Sequence, residues 1–285
     1  MKSVLVLVFL ASVSSAKWIE NLQTNNGHSE GPSRRIVNGE EATPGQFPYQ
    51  VLMLIEFPNL GSPSSSLISG GSVLTVNYIL TAASTFFNGD AQATGGTAVM
   101  GAHNQMIQEP SQQLIRFDAS GITIHPQYVD NYPNIRNNVA VARLNSPMTF
   151  NDRVQPIRLP ARSDTRQFQG FMGTIAGFGR TAPDADASDV LLYVSNPIMM
   201  NAFCMARWDY VTVQPDNVCM SGDGGQSSCP GDDGGPLVVN DGGHLQIGIS
   251  SIDGNPCSIG LPSIYTRVIP FLAWIEANTD YVVRP

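Results

Sequence analysis

After residue 36 the sequence is a succession of short apolar runs, each bounded by Gly, Pro, Asn or Ser. The clearest runs cover residues 50–55, 72–80, 139–144, 173–177, 191–194 and 246–251. Runs of this length that are separated by turn residues predict β-strands. No repeat or change of composition interrupts them, so residues 36–285 are predicted to form one all-β unit with room for two barrels. Near the end, residues 269–276 follow helical spacing and predict a C-terminal helix.

The amino terminus has the pattern of a segment that is removed during export. Lys2 precedes an apolar stretch over residues 4–13, and small residues end at Ala16. This order is typical of a secretory signal peptide over residues 1–16, because the stretch is too short to span a bilayer. Residues 17–35 are polar and end in two arginines, which predicts an exposed propeptide. We therefore expect a secreted, extracellular protein with its folded domain over residues 36–285.

The charge of the chain argues against two classes of partner. Fifteen basic and 23 acidic residues give a net charge of −8, and no basic cluster stands out. An acidic surface repels phosphate groups and anionic lipids, so neither nucleic acid nor a membrane is an expected partner.

The four cysteines are predicted to form disulfides, since export permits oxidation. They lie at positions 204, 219, 229 and 257, and four cysteines allow three pairings. They lack paired C-x-x-C spacing, and no histidine lies among them at ligand distance, so a zinc site has little support. We expect neither a metal nor a cofactor.

Several stretches, in this order, resemble the trypsin/chymotrypsin family and its invertebrate brachyurin-like branch. They are residues 35–39 (Arg-Ile-Val-Asn-Gly), 69–72 with 80–83 (Ser-Gly-Gly-Ser and Leu-Thr-Ala-Ala), 137–144, 177–180, 229–237 (Cys-Pro-Gly-Asp-Asp-Gly-Gly-Pro-Leu) and 265–268. The resemblance covers nearly all of residues 36–285. It implies two six-stranded antiparallel β-barrels packed together, with a C-terminal helix.

The resemblance also implies where a catalytic triad belongs, and this sequence departs from it at all three positions. Ser84 stands where the family has histidine, Asn138 where it has aspartate, and Asp233 where it has the nucleophilic serine. A hydroxyl cannot replace imidazole as a base near neutral pH. Loss of the aspartate charge alone costs about 10⁴ in turnover in this mechanism. The other histidines, at positions 28, 103, 125 and 244, are expected to be structural or surface residues.

The resemblance implies further roles that the sequence retains. Cleavage after Arg35 would free the amino group of Ile36, which would pair with Asp232 in a retained conformational switch; the alternative is that these residues are relics. The amides of Gly231 and residue 233 would form the oxyanion hole, where the Asp233 carboxylate would oppose an oxyanion.

Other implied positions concern the disulfides and the specificity pocket. The implied bridges are Cys204–Cys219 and Cys229–Cys257. The family bridge beside the histidine is lost, because Ser69 and Thr85 occupy both of its positions. Four positions form the pocket: Ser227 is its floor, and Ser251, Asp253 and Ser263 lie near its walls. A small neutral floor favours an apolar or mixed side chain over arginine. Asp253 lies either at the pocket mouth or in a solvated loop.

Three hypotheses on function follow. The first is a catalytically inactive homologue that binds an extracellular protein, such as a protease or a protease substrate, as cofactor, decoy or regulator, through loops on a rigid barrel. The second is a weakly active or redirected endopeptidase of chymotrypsin-like specificity. The third is a carrier of a small ligand, which has no support beyond the presence of a pocket.

Overall fold

The structure is a computed structural model that describes residues 39–58, 66–132, 134–180, 182, 185–257 and 259–285. The contacts between residues divide the chain into two units, residues 1–32 and residues 33–285. Every described residue lies in the second unit. None of the helices within the described residues has the length and apolar character needed to cross a membrane.

Seven antiparallel strands form the N-terminal sheet. They are β2 (Gln50–Glu56), β3 (Leu67–Val73), β4 (Tyr78–Thr81), β7 (Gly95–Met100), β8 (Gln113–Asp118), β9 (Ile122–Ile124) and β10 (Ala140–Arg143). The order across the sheet is β8, β7, β2, β3, β4, β10, β9, so that β2 and β3 lie near the middle. This sheet curls into a half-barrel around its own apolar interior. A small hairpin of β5 (Phe87–Asn88) and β6 (Ala91–Gln92) stands beside it.

The C-terminal sheet closes on itself. It contains β1 (Glu40–Glu41), β11 (Met172–Gly177), β12 (Leu192–Met199), β13 (Asn217–Met220), β14 (Pro236–Asn240), β15 (His244–Ile252) and β16 (Ser263–Arg267). The order is β1, β12, β11, β14, β15, β16, β13, and β13 also pairs with β12. This last pairing, in which Ile198 is opposite Met220, makes a closed six-stranded barrel with β1 added outside it.

Three apolar clusters account for most of the core. One lies inside each sheet, around Phe117 and Met53 in the first and around Tyr265 and Leu237 in the second. The third lies between the two sheets and joins their facing strands. Burial of apolar surface of this kind is the main favourable contribution to folding. It also fixes the two sheets against each other, so that segments from both can meet in one site.

Two short α-helices complete the described chain, α1 (Asn201–Met205) and α2 (Leu272–Asn278). A 3₁₀ turn over Ile269–Phe271 leads into α2, whose Leu272 and Ile275 are buried in the cluster between the sheets. The predicted C-terminal helix is therefore confirmed, and it packs on the barrels through the predicted apolar side chains.

The all-β, two-barrel prediction is confirmed, with two differences in detail. The N-terminal sheet is a curled half-barrel of seven strands, whereas the C-terminal barrel is closed with six. The apolar run over residues 72–80 is divided between β3 and β4, because a turn at Thr75 and Asn77 reverses the chain. Composition alone does not reveal this turn, since its other residues are apolar.

Candidate active-site cleft

Four segments from both sheets converge on one site. Ser84 begins a 3₁₀ turn just after β4, and Asn138 lies just before β10, its neighbour in the N-terminal sheet. Asp233 precedes β14 and Ser251 lies near the end of β15, both in the C-terminal sheet. The backbone N–H of Gly70 donates to the carbonyl of Asp233 at 2.7 Å and ties the two sheets together. The structure thus brings together the segments that carry Ser84, Asn138 and Asp233.

Asn138 is the centre of a neutral hydrogen-bond network. Its Oδ1 accepts from the backbone N–H of Ser84 at 2.8 Å, while its Nδ2 donates to the Ser84 hydroxyl at 3.1 Å and to the Ser251 hydroxyl at 2.9 Å. Only 1% of Asn138 is exposed. An amide can both accept and donate in this way, whereas a carboxylate can only accept. The network holds the segments in place, but it contains no group that ionises near neutral pH.

Asp233 places a carboxyl group against the backbone amides that resemble an oxyanion hole. Its pKa is raised to about 7, mainly by burial and in smaller part by the charges of Asp253 and Asp232. Hydrogen bonds from the N–H groups of Gly231 and of Asp233 itself act in the opposite direction. Gly231 has a φ of +103°, a conformation that side-chain-bearing residues rarely adopt. The chain's own carboxyl group therefore lies on the donors that would otherwise face a substrate oxygen.

Asp232 lies beneath this site, with 4% of its surface exposed. Its two oxygens accept from the backbone N–H of Gly179 at 2.8 Å and from that of Cys229 at 3.1 Å. A Cβ atom on Gly179 would collide with the carboxyl group, so glycine is required there for the close approach. The pKa of Asp232 is raised to about 7, because burial outweighs the two amide hydrogen bonds that lower it. A buried group of this kind is suited to receive a positive charge.

Arg35 and Ile36, which are predicted to supply that charge after cleavage, lie outside the described residues. The same holds for the predicted signal peptide over 1–16, the predicted propeptide over 17–35, and His28. Their roles remain predictions from the sequence.

Hydroxyl groups occupy the place of the missing family bridge. Ser69 Oγ and Thr85 Oγ1 are 2.9 Å apart, and Thr81 Oγ1 is 3.2 Å from Thr85 Oγ1. Ser69 Oγ also donates to the carbonyl of Asp233 at 2.7 Å. These contacts compensate for part of the lost constraint, because each buried hydrogen bond contributes on the order of 1 kcal/mol. The hydrogen bond from Ser69 also links this position, where the family has its disulfide, directly to Asp233.

The disulfides have the pairing that the resemblance implies. Cys204 is bonded to Cys219 and Cys229 to Cys257, and the described residues include no free cysteine. The second bridge joins the segment before Asp232 to the loop after Asp253, and so fixes two sides of the pocket relative to each other.

The pocket differs from the neutral one expected from its floor residue. Ser227 is buried, and its hydroxyl donates to the Ser228 carbonyl at 3.0 Å and to the Cys257 carbonyl. The Asp253 carboxyl group turns inward and accepts from the hydroxyls of Ser228 and Ser263. Burial raises the pKa of Asp253, while these hydroxyls lower it. These contacts favour the pocket position of Asp253 over the solvated-loop alternative.

The described histidines lie in other surroundings. His103 Nε2 is 3.1 Å from Glu41 Oε1, His125 packs against the rings of Phe271 and Trp274, and His244 packs against Tyr49. Within the described residues no hydrogen bond joins a histidine to Ser84, Asn138 or Asp233.

Comparison with known proteins identifies the family. The sequence model of the trypsin family matches residues 36–275. The chain belongs to the trypsin-like serine protease family. It is 32% identical to a chymotrypsin of Phaedon cochleariae over 99% of both chains, and 35% identical to brachyurin of Leptuca pugilator over 86% of this chain and 98% of brachyurin. Its fold is similar to that of HL collagenase, with a TM-score of 0.73 and 28% identity over 86% of this chain and 99% of the other.

Within this trypsin-like cleft, sequence reasoning missed two contributors. Ser228 and Tyr265 approach Asp253, and their hydroxyl oxygens are 3.4 Å apart. Ser228 directly follows the floor residue Ser227, which was the available signal. No such signal marked Tyr265, whose hydroxyl reaches the pocket only because β16 runs past it.

Proposed function

We propose that this chain is a secreted, catalytically inactive member of the trypsin-like family that acts by binding an extracellular protein. The partner is a protease or a protease substrate, and the role is that of cofactor, decoy or regulator. The observation that carries the proposal is the Asp233 carboxyl group on the amides of Gly231 and Asp233. The alternative of a ligand carrier has no comparable observation.

The chemistry of the triad positions supports inactivity. In the family mechanism a serine hydroxyl attacks, an imidazole moves the proton and a carboxylate holds the imidazolium. Here Asn138 and Ser84 hydrogen-bond each other in a neutral network, with no imidazole bonded to either in the described residues. No group in that network accepts a proton near neutral pH.

The position of Asp233 opposes the reaction in a second way. Amide hydrolysis places negative charge on the former carbonyl oxygen, and oxyanion-hole amides stabilise that charge. An ionised Asp233 on the same amides repels the oxyanion, and a protonated one still occupies the donors. One removed donor in such a hole typically costs about 10² to 10³ in rate.

A cleft without the catalytic groups can still bind a partner protein. The loops around it are carried by two packed sheets and by the Cys229–Cys257 bridge, and loops on a rigid scaffold are common binding sites. Asp232 is buried and already accepts two amide hydrogens, which suits the predicted ion pair with Ile36. Cleavage after Arg35 would then change the shape of the binding surface without starting catalysis.

A peptidase assay on a broad peptide library tests the proposal. The native chain, cleaved after Arg35, is compared with the revertant Ser84→His, Asn138→Asp, Asp233→Ser. We expect no turnover by the native chain. We expect the revertant to exceed it by at least about 10⁴-fold, the cost of losing triad function in this mechanism.

Two controls make the result interpretable. The double variant Ser84→His, Asn138→Asp keeps the carboxylate at position 233 and should remain inactive. Asp233→Ala on the native background separates true activity from contamination. Turnover by the native chain that disappears in Asp233→Ala would contradict the proposal.

The second candidate, a weakly active or redirected hydrolase, has one observation in its favour. A pKa of about 7 lets Asp233 exchange protons near neutral pH, as a general acid or base requires. The relatives named above are also proteases by name. The Asp233→Ala comparison decides between this candidate and the first.

A further inference from the structure

The last residues of the chain form one wall of an open groove that shares no residue with the cleft. The groove has a volume of about 530 Å³ and also borders the turn between β3 and β4. We name it the C-terminal groove and define it by its lining, which consists of residues 74–76, Phe150, residues 156–158, Asp280, Tyr281 and Arg284. Pockets for small molecules typically enclose roughly 300–1,000 Å³, so this groove has room for one small ligand.

The floor of the C-terminal groove is apolar. Leu74 and Ile157 are 1% and 2% exposed and belong to the cluster between the sheets. Phe150 lines the same groove, is 38% exposed and belongs to none of the apolar clusters of the described residues. An aromatic ring has a large apolar surface, which stabilises a complex only when a neighbour covers it. The floor and this ring together suit an apolar ligand.

The wall formed by the C-terminal segment is held in place by hydrogen bonds to residues 159–162. The backbone N–H of Leu159 donates to the Tyr281 hydroxyl at 3.1 Å, and Arg284 Nη2 donates to the Leu159 carbonyl at 2.8 Å. The backbone N–H of Arg162 donates to the Arg284 carbonyl at 2.8 Å. A wall that is already ordered loses little conformational freedom when a ligand binds. The groove is therefore formed before any ligand enters it.

The charged groups of the groove have donors to spare. Arg158 Nη2 donates to the carbonyls of Asp241 and Gly243, and Arg284 Nη2 donates to that of Leu159. Within the described residues neither guanidinium forms an ion pair with a carboxylate, and neither uses its Nε or Nη1 in a hydrogen bond. The Tyr281 hydroxyl accepts from Leu159 and so keeps its own proton as a donor.

One carboxylate also lines the groove. Asp280 accepts from Asn77 Nδ2 at 2.7 Å. Two guanidinium groups and this carboxylate leave a net charge of +1 on the lining (2 − 1). That charge matches a ligand with one negative charge, whereas a doubly charged group would meet more repulsion from Asp280.

We propose that the C-terminal groove binds a free monocarboxylate with an unbranched apolar tail, the chemistry of a medium-chain fatty acid. The planar guanidinium of Arg284 or Arg158 matches a carboxylate through two parallel N–H donors. The tail lies on the floor against Phe150. The inference goes beyond the proposed function and does not depend on it, because the groove shares no residue with the cleft.

A free acid fits the groove better than a segment of a protein. A peptide carries a backbone N–H and C=O group at nearly every residue, and burying them on an apolar floor without partners is unfavourable. An acid with an alkyl tail has polar atoms at one end only. Its carboxylate then meets the arginines while every other atom contacts the apolar floor.

The first experiment compares hexanoate with hexanamide, which are similar in shape but differ in charge. Ligand-observed NMR titrations at pH 8 and low salt on the full native chain give the two affinities. We expect hexanoate to bind at least fivefold more tightly, and 0.5 M salt should remove most of this preference because it screens exposed charges. In the series butanoate, hexanoate, octanoate, affinity should rise by about two- to fourfold for each added CH₂ group.

Variants locate the binding site. Arg284→Gln should abolish the preference for hexanoate over hexanamide. Arg207→Gln is the matched control and should retain it, since Arg207 is also exposed and also donates through Nη2 to one backbone carbonyl, that of Gly260. Phe150→Ser should weaken octanoate at least threefold, whereas Phe203→Ser, which removes a ring that is 60% exposed in α1, should leave its affinity unchanged.

Four results would overturn the inference. They are equal affinities for hexanoate and hexanamide, no gain with chain length, an unchanged preference in Arg284→Gln, or equal losses in Arg284→Gln and Arg207→Gln. The inference is also wrong if no acid of the series binds native protein below about 10 mM, a weak affinity even for a ligand of this size. If the acids fail but the peptide acetyl-Leu-Asp-amide binds and loses affinity in Arg284→Gln, a protein segment occupies the groove instead.

Failure of this inference and failure of the proposed function are distinguishable. Peptide turnover by the native chain refutes catalytic inactivity whatever the acids do. Absence of turnover, combined with no preference for hexanoate, refutes only the ligand of the C-terminal groove.

Discussion

Replacing Asp233 with serine should change how folding stability depends on pH. In the folded chain burial raises the pKa of Asp233 to about 7, whereas an aspartate in an unfolded chain titrates near its ordinary value of about 3.9. Between these values the folded state binds more protons than the unfolded state. The free energy of unfolding that Asp233 contributes therefore falls as pH rises from about 4 to about 7.

The size of the effect follows from the shift. Three pKa units at about 1.36 kcal/mol each give about 4 kcal/mol as the largest destabilisation by Asp233 above pH 7. Its interaction with Asp232 and Asp253 shares part of this cost among the three groups. We therefore expect Asp233→Ser to stabilise the full chain by about 2–4 kcal/mol at pH 8, and by close to zero at pH 4.

Urea unfolding from pH 4 to pH 8, with the disulfides intact and tryptophan fluorescence as the signal, measures the difference. Asp152→Ser is the control, because Asp152 is exposed and its replacement should leave the pH profile of the native chain unchanged. If the gain in Asp233→Ser is the same at every pH, the carboxyl group is not held in a buried setting and the reasoning is refuted.

Three further predictions concern the network, the lost bridge and the activation site. Asn138→Ala should lower the free energy of unfolding by about 3 kcal/mol, because the three hydrogen bonds of this buried side chain are lost; a loss below about 1 kcal/mol in urea unfolding would contradict this. In the pair Ser69→Cys, Thr85→Cys, oxidation should stabilise the chain by about 3 kcal/mol over its reduced form, as for other loops of this length; equal midpoints of thermal unfolding would refute it. Cleavage after Arg35 should make stability rise from pH 5 to pH 8 relative to the uncleaved chain, since Ile36 would then pair with Asp232; parallel pH profiles would exclude this ion pair.

The fold was largely predictable, because its signals are local or ordered along the chain. The apolar runs and turn residues mark strands such as β2, β10 and β15, and the spacing of Leu272 and Ile275 marks the final helix. The closure of the C-terminal barrel was harder to predict from the sequence. It depends on the pairing of Ile198 with Met220, a contact between distant segments that no local pattern specifies.

The candidate site was predictable in its positions but only partly in its contacts. The order of motifs singled out Ser84, Asn138 and Asp233, and the structure brings the segments that carry them together. The direction of the Asp253 side chain was not predictable, because a loop residue points inward or outward according to the tertiary structure around it. The hydroxyl contact between Ser69 and Thr85 depends likewise on two segments brought together by β3 and β4.

The effect of cleavage on this cleft follows from the same electrostatics. An ammonium that reaches Asp232 favours its ionised form, because an opposite charge nearby lowers the pKa of a carboxyl group. The resulting pair is neutral, whereas an ionised Asp232 without a partner raises the pKa of Asp233. Cleavage should therefore lower the pKa of Asp233 and strengthen the hydrogen bond that its carboxylate accepts from the amide of Gly231. In an active enzyme the same ion pair favours catalysis. With a carboxylate at position 233, it would instead strengthen the contact of Asp233 with the oxyanion-hole amides. Cleavage would then affect binding at the cleft and would not start catalysis.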